Sequence, residues 1–292
     1  MVIWRESMKL FVVSDVHGFY KEMKQCLRQA GFSDSADDHK LIVLGDLFDR
    51  GSEAVEIFKY LKKLADKGKA IVLHGNHEDF IIDFLKGEDC SFNFSHNGFN
   101  RTLDSFLNIP AAWENFCYMC SENQGMAETM YGKRVKPLLG DFYSIPIEVR
   151  FDIFQEYARE NIKKRYKDLL PWLESLPFYY ETSKYIFTHA SIDGTCPDWH
   201  NPEYTSYEQW TPWQYLTWDD GHFYDKEITN TDKTIVVGHF HTDAIREIFN
   251  IAVDNKKPND ILYTKQKIFI DTCTVLTKRV NVLIIEDNIE ED

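Results

Sequence analysis

Five short polar cassettes hold the residues most able to do chemistry: Asp15-Val16-His17, Gly45 through Gly51 with Asp46, Asp49 and Arg50, Gly75-Asn76-His77-Glu78, Thr188-His189-Ala190, and Gly238-His239-Phe240-His241. Carboxylates, imidazoles and one amide are the donors that borderline divalent cations take, and a guanidinium fork beside them suits a phosphoryl group. Taken together they fit a two-metal centre for cleaving phosphoesters.

Each cassette also has an ordinary explanation. Asp15 and His17 lie on one side if the strand before them persists, and so can grip one cation; they also fit a capping Asp beside a surface His. Asp46 follows an apolar run directly, where a carboxylate can bridge two cations, yet the same cassette fits a strand-to-helix turn with an Asp cap and a salt bridge. Asp49 can orient an imidazole, Asn76 can offer a neutral oxygen to a metal, and His77 can deliver a proton to a leaving alkoxide. Glu78 is expected to cap the following helix or fix the loop backbone, and His74 to be a strand residue with a satisfied ring nitrogen. His189 and His239 each end an apolar run and, taken singly, fit core histidines. Their joint occurrence with three Asp/Asn cassettes favours a shared site. His39, His96, His200 and His222 sit in polar or turn-rich surroundings and are assigned no chemistry.

The elements that must position these residues follow from periodicity. Strands are predicted at Lys9–Ser14, Lys40–Leu44 and Ala70–His74, with helices at Tyr20–Ala30 and Ser52–Lys67, a β-α-β-α-β series that implies parallel strands. In the second helix Val55, Phe58, Leu61, Leu64 and Ala65 recur at helical spacing. Between Glu78 and Lys184 helices are expected at Ile81–Leu85 and Phe154–Leu173, with Pro171 bending or restarting the latter and an irregular aromatic portion around Trp113–Tyr131. Strands return at Phe178–Thr188, Thr234–Gly238, Lys267–Ile270 and Arg279–Ile285. The site residues before and after the middle segment need each other, so residues 1–292 are expected to form a single domain with an elaboration at about 79–177.

Composition narrows the partners. A formal charge of −14 argues against an obligate binder of nucleic-acid backbone. No apolar stretch is long enough to span a bilayer, and Met1–Ser7 leads straight into a strand, so no membrane association and a cytoplasmic location are expected. The six cysteines are too sparse for a disulfide framework, and Cys117-Tyr118-Met119-Cys120, with metal or redox spacing but no second pair, is read as packing.

The ordered set resembles the calcineurin-like metallophosphoesterases, and within them the phosphoprotein-phosphatase branch with its bacterial relatives. The motifs that carry the resemblance are Ser14-Asp15-Val16-His17-Gly18, Gly45 through Gly51, Gly75 through Glu78, His189-Ala190-Ser191 and Gly238-His239. The resemblance implies a four-layered α/β/β/α sandwich of two mixed sheets flanked by helices. It also implies two divalent or mixed-valence metal ions, with manganese the first choice and iron or zinc the alternatives. One would be held by Asp15, His17, Asp46 and, from the wider family's Gly-His-x-His, His241; the other by Asp46, Asn76, His189 and His239. His77 resembles the proton donor, Asp49 its orienting partner and Arg50 a phosphate clamp, with Asn76 also facing substrate and a metal-bridging hydroxide as nucleophile.

Ser191 and Cys273 stand where relatives have glycine, and the second phosphate-binding arginine of protein phosphatases is not recognisable after Leu216-Thr217-Trp218-Asp219-Asp220. Asn97 through Leu103 resembles a stretch of bacterial phosphatases and symmetrical dinucleoside tetraphosphate hydrolases, in which Arg101 would reach a phosphate. The expected activity is phosphomonoester hydrolysis of serine/threonine protein phosphatase type, on a phosphorylated protein or a small phosphorylated metabolite or nucleotide. Symmetrical bis(5'-nucleosyl)-tetraphosphate hydrolysis, with a nucleotide slot among Trp113, Phe116 and Tyr118, is the alternative. A non-catalytic phosphate-binding or scaffold protein is the alternative of another class.

Overall fold

The computed structural model describes residues 8–194, 196, 198–201, 212–218, 228–251 and 258–287. Met1–Ser7, Asp219, Asp220 and His222 lie outside the described residues. Two mixed sheets stand at the centre. The first has strand order β3-β2-β1-β9, from β1 (Met8–Val13), β2 (His39–Val43), β3 (Ala70–Val72) and β9 (Leu283–Asp287); β1, β2 and β3 are parallel and β9 is antiparallel. The second has order β4-β5-β6-β8-β7, from β4 (Tyr179–Glu181), β5 (Tyr185–Thr188), β6 (Thr234–Val237), β7 (Leu262–Tyr263) and β8 (Lys267–Phe269). Its central three strands are parallel and its two edges antiparallel.

The strand sequences explain the layering. Side chains alternate faces along a strand, and a strand buried on both faces reads as a continuous apolar run. Leu10 and Val12 of β1 and Ile42 of β2 meet Phe187, Val236 and Ile268 of the other sheet, while Phe11, Val13, Leu41 and Val43 face outward into a helical layer. Ile186, Ile235, Val237 and Phe269 likewise face outward, against Leu216 and Ile245 of helices α10 (Pro212–Trp218) and α11 (Thr242–Ile248). The order of layers is therefore α/β/β/α, as the resemblance implies. Each fully buried Leu, Ile, Val or Phe contributes about 1.5–3 kcal/mol, so the sheet interface is a strong anchor for loops that leave it.

Helices α1 (Tyr20–Gln29) and α2 (Ala54–Ala65) join the parallel strands. Between β3 and β4 run α3 (Asn76–Lys86), α4 (Ser91–His96), α5 (Phe99–Leu107), α6 (Ala112–Glu122), α7 (Gln124–Tyr131), α8 (Ile147–Arg165) and α9 (Leu169–Glu174), and the short α12 (Thr274–Thr277) precedes β9. Four local expectations need correction. Residues 113–131 are not irregular but belong to two helices, whose buried Phe116, Cys120, Ala127 and Tyr131 pack with Phe154 of α8. The long helix spans Ile147–Arg165 instead of beginning at Phe154 and running to Leu173, and the chain restarts as α9 with Pro171 in its first turn, the restart expected of that proline, where its missing N–H costs nothing. The run 178–188 folds back on itself as the β4-β5 hairpin. The last strand begins at Leu283, because Asn281 turns aside to donate to the carbonyls of Asn259 and Ile270. Cys117 and Cys120 are free thiols, each pushed up to about 11 by burial, which agrees with packing. Among the described residues no helix is long and apolar enough to cross a membrane.

Candidate metal centre and active site

The strand ends of both sheets converge. After β1 and β2 the chain turns so sharply that Asp15, His17, Asp46, Asp49 and Arg50 all take left-handed backbone, φ between 45 and 71°, and His239 after β6 does the same at 60°. Non-glycine residues rarely adopt this region, and such strain persists where surrounding structure fixes it and function uses it. Here the fixing bonds are visible: His17 N donates to Asp46 O, Gly18 N to Leu47 O, and Gly238 N to His189 O. The Asp15 carboxylate accepts from His239 N at 3.0 Å and so ties the two sheets together at the site.

Asp46 is the centre of the arrangement. Its Oδ2 lies 3.5 Å from His17 Nε2 and 3.8 Å from His77 Nε2, while its Oδ1 lies 3.3 Å from His189 Nε2. His189 Nε2 is in turn 3.0 Å from Asn76 Oδ1 and 3.1 Å from His239 Nδ1. Two donor groups thus share one carboxylate, the buried His17 and His77 on one side and the buried His189 with the half-buried His239 on the other.

The tautomers follow from the far ring nitrogens. His17 Nδ1 faces the Phe48 carbonyl at 2.9 Å and His189 Nδ1 faces the Leu44 carbonyl at 2.7 Å. A carbonyl only accepts, so each Nδ1 carries the proton and each Nε2 presents a lone pair inward. Orientation of a ligating imidazole through its other nitrogen is the usual support of a metal ligand. Burial lowers His17 well below its ordinary pKa and His239 to about 3, the neighbouring His77 and His189 respectively adding to the effect, which keeps both neutral. Burial alone would raise Asp46, but its imidazole neighbours, His189 first and then His77, outweigh it and hold the carboxyl below its usual range. Asp15 and Asp271 are raised by burial, with Asp46 adding to the effect on Asp15 and Asp15 to that on Asp271, a concentration of buried carboxyls that a cation relieves. The donor set fits two cations of mixed N/O preference.

His77 is built differently. Its Nδ1 lies 2.5 Å from Asp49 Oδ2, and although burial opposes protonation, Asp46 and Asp49 together raise it above the ordinary histidine value. Proximity groups it with the ligands, while the carboxylate behind it sets it apart from His17 and His189, which are backed by carbonyls. Asp49 is itself gripped by Thr102, whose hydroxyl donates to Asp49 Oδ1 at 2.6 Å and accepts from Asp49 N at 2.8 Å. Arg50 lies over the mouth, with Nη1 2.9 Å from His17 Nε2 and Nη2 3.4 Å from His77 Nε2.

A cavity of about 170 Å³ is lined by Asp15, His17, Asp46, Arg50, Asn76 and His77 together with Phe80, Asn97, Trp218, His239 and His241. His241 reaches this lining but stands outside both donor groups; its Nε2 is 3.7 Å from Asp271 Oδ2 and its side chain is 40% exposed. Arg101 does not face the cavity: it is exposed and lines a separate cleft with Ser52, Glu56 and Asp104. The stretch 97–103 serves the site through other residues, since Gly98 O accepts from Arg50 N and Thr102 holds Asp49. Of the proposed nucleotide-slot aromatics, Phe116 is fully buried and Tyr118 exposed, and Trp113 lines another cleft with Phe94 and Phe151. Glu78 takes both roles open to it, accepting from Gly75 N at the head of α3 and from Asp46 N and Leu47 N in the loop. His74 is satisfied by Asp79 at 2.7 Å.

A family model described as calcineurin-like phosphoesterase matches residues 8–263. The chain belongs to the calcineurin-like phosphoesterase family. Members of this family are metal-dependent phosphoric ester hydrolases. Among curated relatives, an asymmetrical bis(5'-nucleosyl)-tetraphosphatase of Bacillus velezensis is 33% identical over 82 residues, covering 26% of this chain and 33% of the relative. A symmetrical bis(5'-nucleosyl)-tetraphosphatase of Buchnera aphidicola is 36% identical over 102 residues, covering 35% of each. The chain thus spans about a third of the length of the curated relatives it matches. The cold-active protein tyrosine phosphatase structure superposes with a TM-score of 0.50 at 18% identity, covering 96% of this chain and 74% of that one, a likeness of fold.

Proposed function

We propose that this calcineurin-like phosphoesterase hydrolyses phosphomonoesters with two metal ions, in the manner of a serine/threonine protein phosphatase acting on a phosphorylated protein or a small phosphorylated metabolite. The observation that carries it is the sharing of Asp46 between two donor groups, one oxygen toward each. When bound, the cations supply Lewis acidity and an activated water. Asp15, His17 and Asp46, with His241 swung in from the rim, would hold one, and Asp46, Asn76, His189 and His239 the other; manganese is the first choice, iron or zinc the alternatives.

The remaining chemistry belongs to the chain. Arg50 clamps the phosphoryl group with its fork of donors, and the Asn76 amide faces the same space. His77, kept in register by Asp49 and Thr102, gives its Nε2 proton to the departing oxygen. A proton donor matters most for an alkoxide, which is why the reading favours phosphomonoesters of alcohols. The tetraphosphatase relatives support a second reading, cleavage of dinucleoside tetraphosphates. Retention of His77 and Asp49 disfavours a non-catalytic scaffold.

Asp46→Asn is expected to abolish turnover of p-nitrophenyl phosphate, a phosphopeptide and diadenosine tetraphosphate alike and to lower bound metal, because an amide cannot supply the charged bridge. Metal analysis of the purified variant decides: two ions held at wild-type affinity would sink the assignment.

A further inference from the structure

Phe80 and Trp218 are the apolar side chains among the described residues that line the cavity, and both stand on the His77 side. The Phe80 ring meets His77 edge-on at 4.9 Å between centroids, and Trp218 meets Phe80 at 5.8 Å. Trp218 is 39% exposed, yet its ring is not loose. Its indole N–H donates to Asp79 Oδ2 at 3.0 Å, and Asp79 Oδ1 is held at 2.7 Å by the buried His74, whose ring packs on Phe178. The one polar atom of the indole is therefore satisfied, which holds the ring in place where it lines the cavity.

We infer that Trp218, backed by Phe80, is a stacking platform for a flat aromatic group on the leaving side of the ester. The inference rests on the hydrolase reading above for its geometry. An oxygen within proton-transfer reach of His77 Nε2 carries its substituent toward the neighbouring rings. Arg50 is the only Lys or Arg among the described residues lining the cavity, so on the leaving side, beyond the His77 ring, the wall offers apolar rings and not a second guanidinium or ammonium. A phenolic ring and a nucleobase share the π-face that such a platform recognises, and stacking of this kind contributes on the order of ten-fold in affinity.

Two sets of measurements test it on the full chain with manganese. In binding, phenylphosphonate is expected to exceed methylphosphonate about ten-fold for the wild type; Trp218→Ala removes most of that preference, and Trp218→Phe, which keeps a ring face, retains most of it. In turnover, the loss in kcat/KM caused by Trp218→Ala is expected to be about ten-fold greater for phenyl phosphate than for glycerol phosphate and to sit in KM. The same ratio for adenosine monophosphate against ribose 5-phosphate reports whether a nucleobase reaches the platform as well as a phenol. Equal losses within each pair, or no aryl preference in the wild type, would overturn the platform. Aryl preference dependent on Trp218 without turnover of any phosphoester would overturn the hydrolase reading and leave the platform standing.

Discussion

His77 differs from the other imidazoles of the cavity in what stands behind it. His17 and His189 have carbonyl oxygens at their far nitrogens, whereas His77 has the Asp49 carboxylate. A carbonyl fixes a neutral tautomer; a carboxylate also stabilises the imidazolium. His77→Ala is therefore expected to keep both metals and lose about 10²- to 10⁴-fold in turnover of an alkyl phosphate, with a smaller loss on p-nitrophenyl phosphate, whose leaving group needs less help. Metal content and kcat on the two substrates check this, and equal losses on both would point to phosphate positioning instead. Asp46, His77 and His239 were legible in the sequence because each follows a strand end within a short motif. Thr102 and Trp218 were not, since Thr102 reaches Asp49 from 53 residues away and Trp218 reaches Asp79 from 139 residues away. Arg101 was singled out through the resemblance of the stretch 97–103, yet it is the neighbouring Thr102 hydroxyl that reaches Asp49.

At the scale of elements, the site depends on loops that pass one another without room for side chains. A Cβ on Gly238 would lie 1.8 Å from Ser14 Oγ, 2.3 Å from Asp15 Oδ2 and 2.8 Å from Ser14 Cβ. Ser14 fills this space, and its hydroxyl donates to Asp15 Oδ2 at 2.5 Å. Gly238→Ala is expected to destabilise the fold by about 1–3 kcal/mol through overpacking. Ser14→Gly in the same chain removes two of the three clashes and should recover part of that loss, leaving the Asp15 contact. Urea unfolding of the single and double variants measures it; purely additive effects would show that the two loops do not press on each other. Strands buried on both faces were easy to read as apolar runs. The helices at 112–131 were missed although their buried Ala112, Phe116, Cys120, Ala127 and Tyr131 recur at helical spacing; exposed aromatic and apolar neighbours such as Tyr118, Met126 and Met130 blur that stripe, and the chain breaks between the two helices at Asn123.

At the scale of the whole molecule, the two sheets contribute to the site from opposite sides: Asp15, Asp46 and Asn76 follow strands of the first, and His189, His239 and Asp271 follow strands of the second. Between the sheets the core is apolar, while at this end it becomes a cluster of buried carboxyls and imidazoles. Cations held there bind only where both sheets are in place, so binding free energy is also folding free energy. At a free concentration one hundred times Kd, one such ion stabilises the folded chain by about 2.7 kcal/mol. Stripping the protein with a chelator is therefore expected to lower its Tm by roughly 5 °C or more, with recovery on adding manganese back. Asp46→Asn, which removes the carboxylate common to both donor groups, should show a far smaller chelator-dependent shift. A stripped wild type that melts where the loaded protein does would mean that the sheets hold this end together unaided and that the crowded carboxyls are neutralised by protons instead.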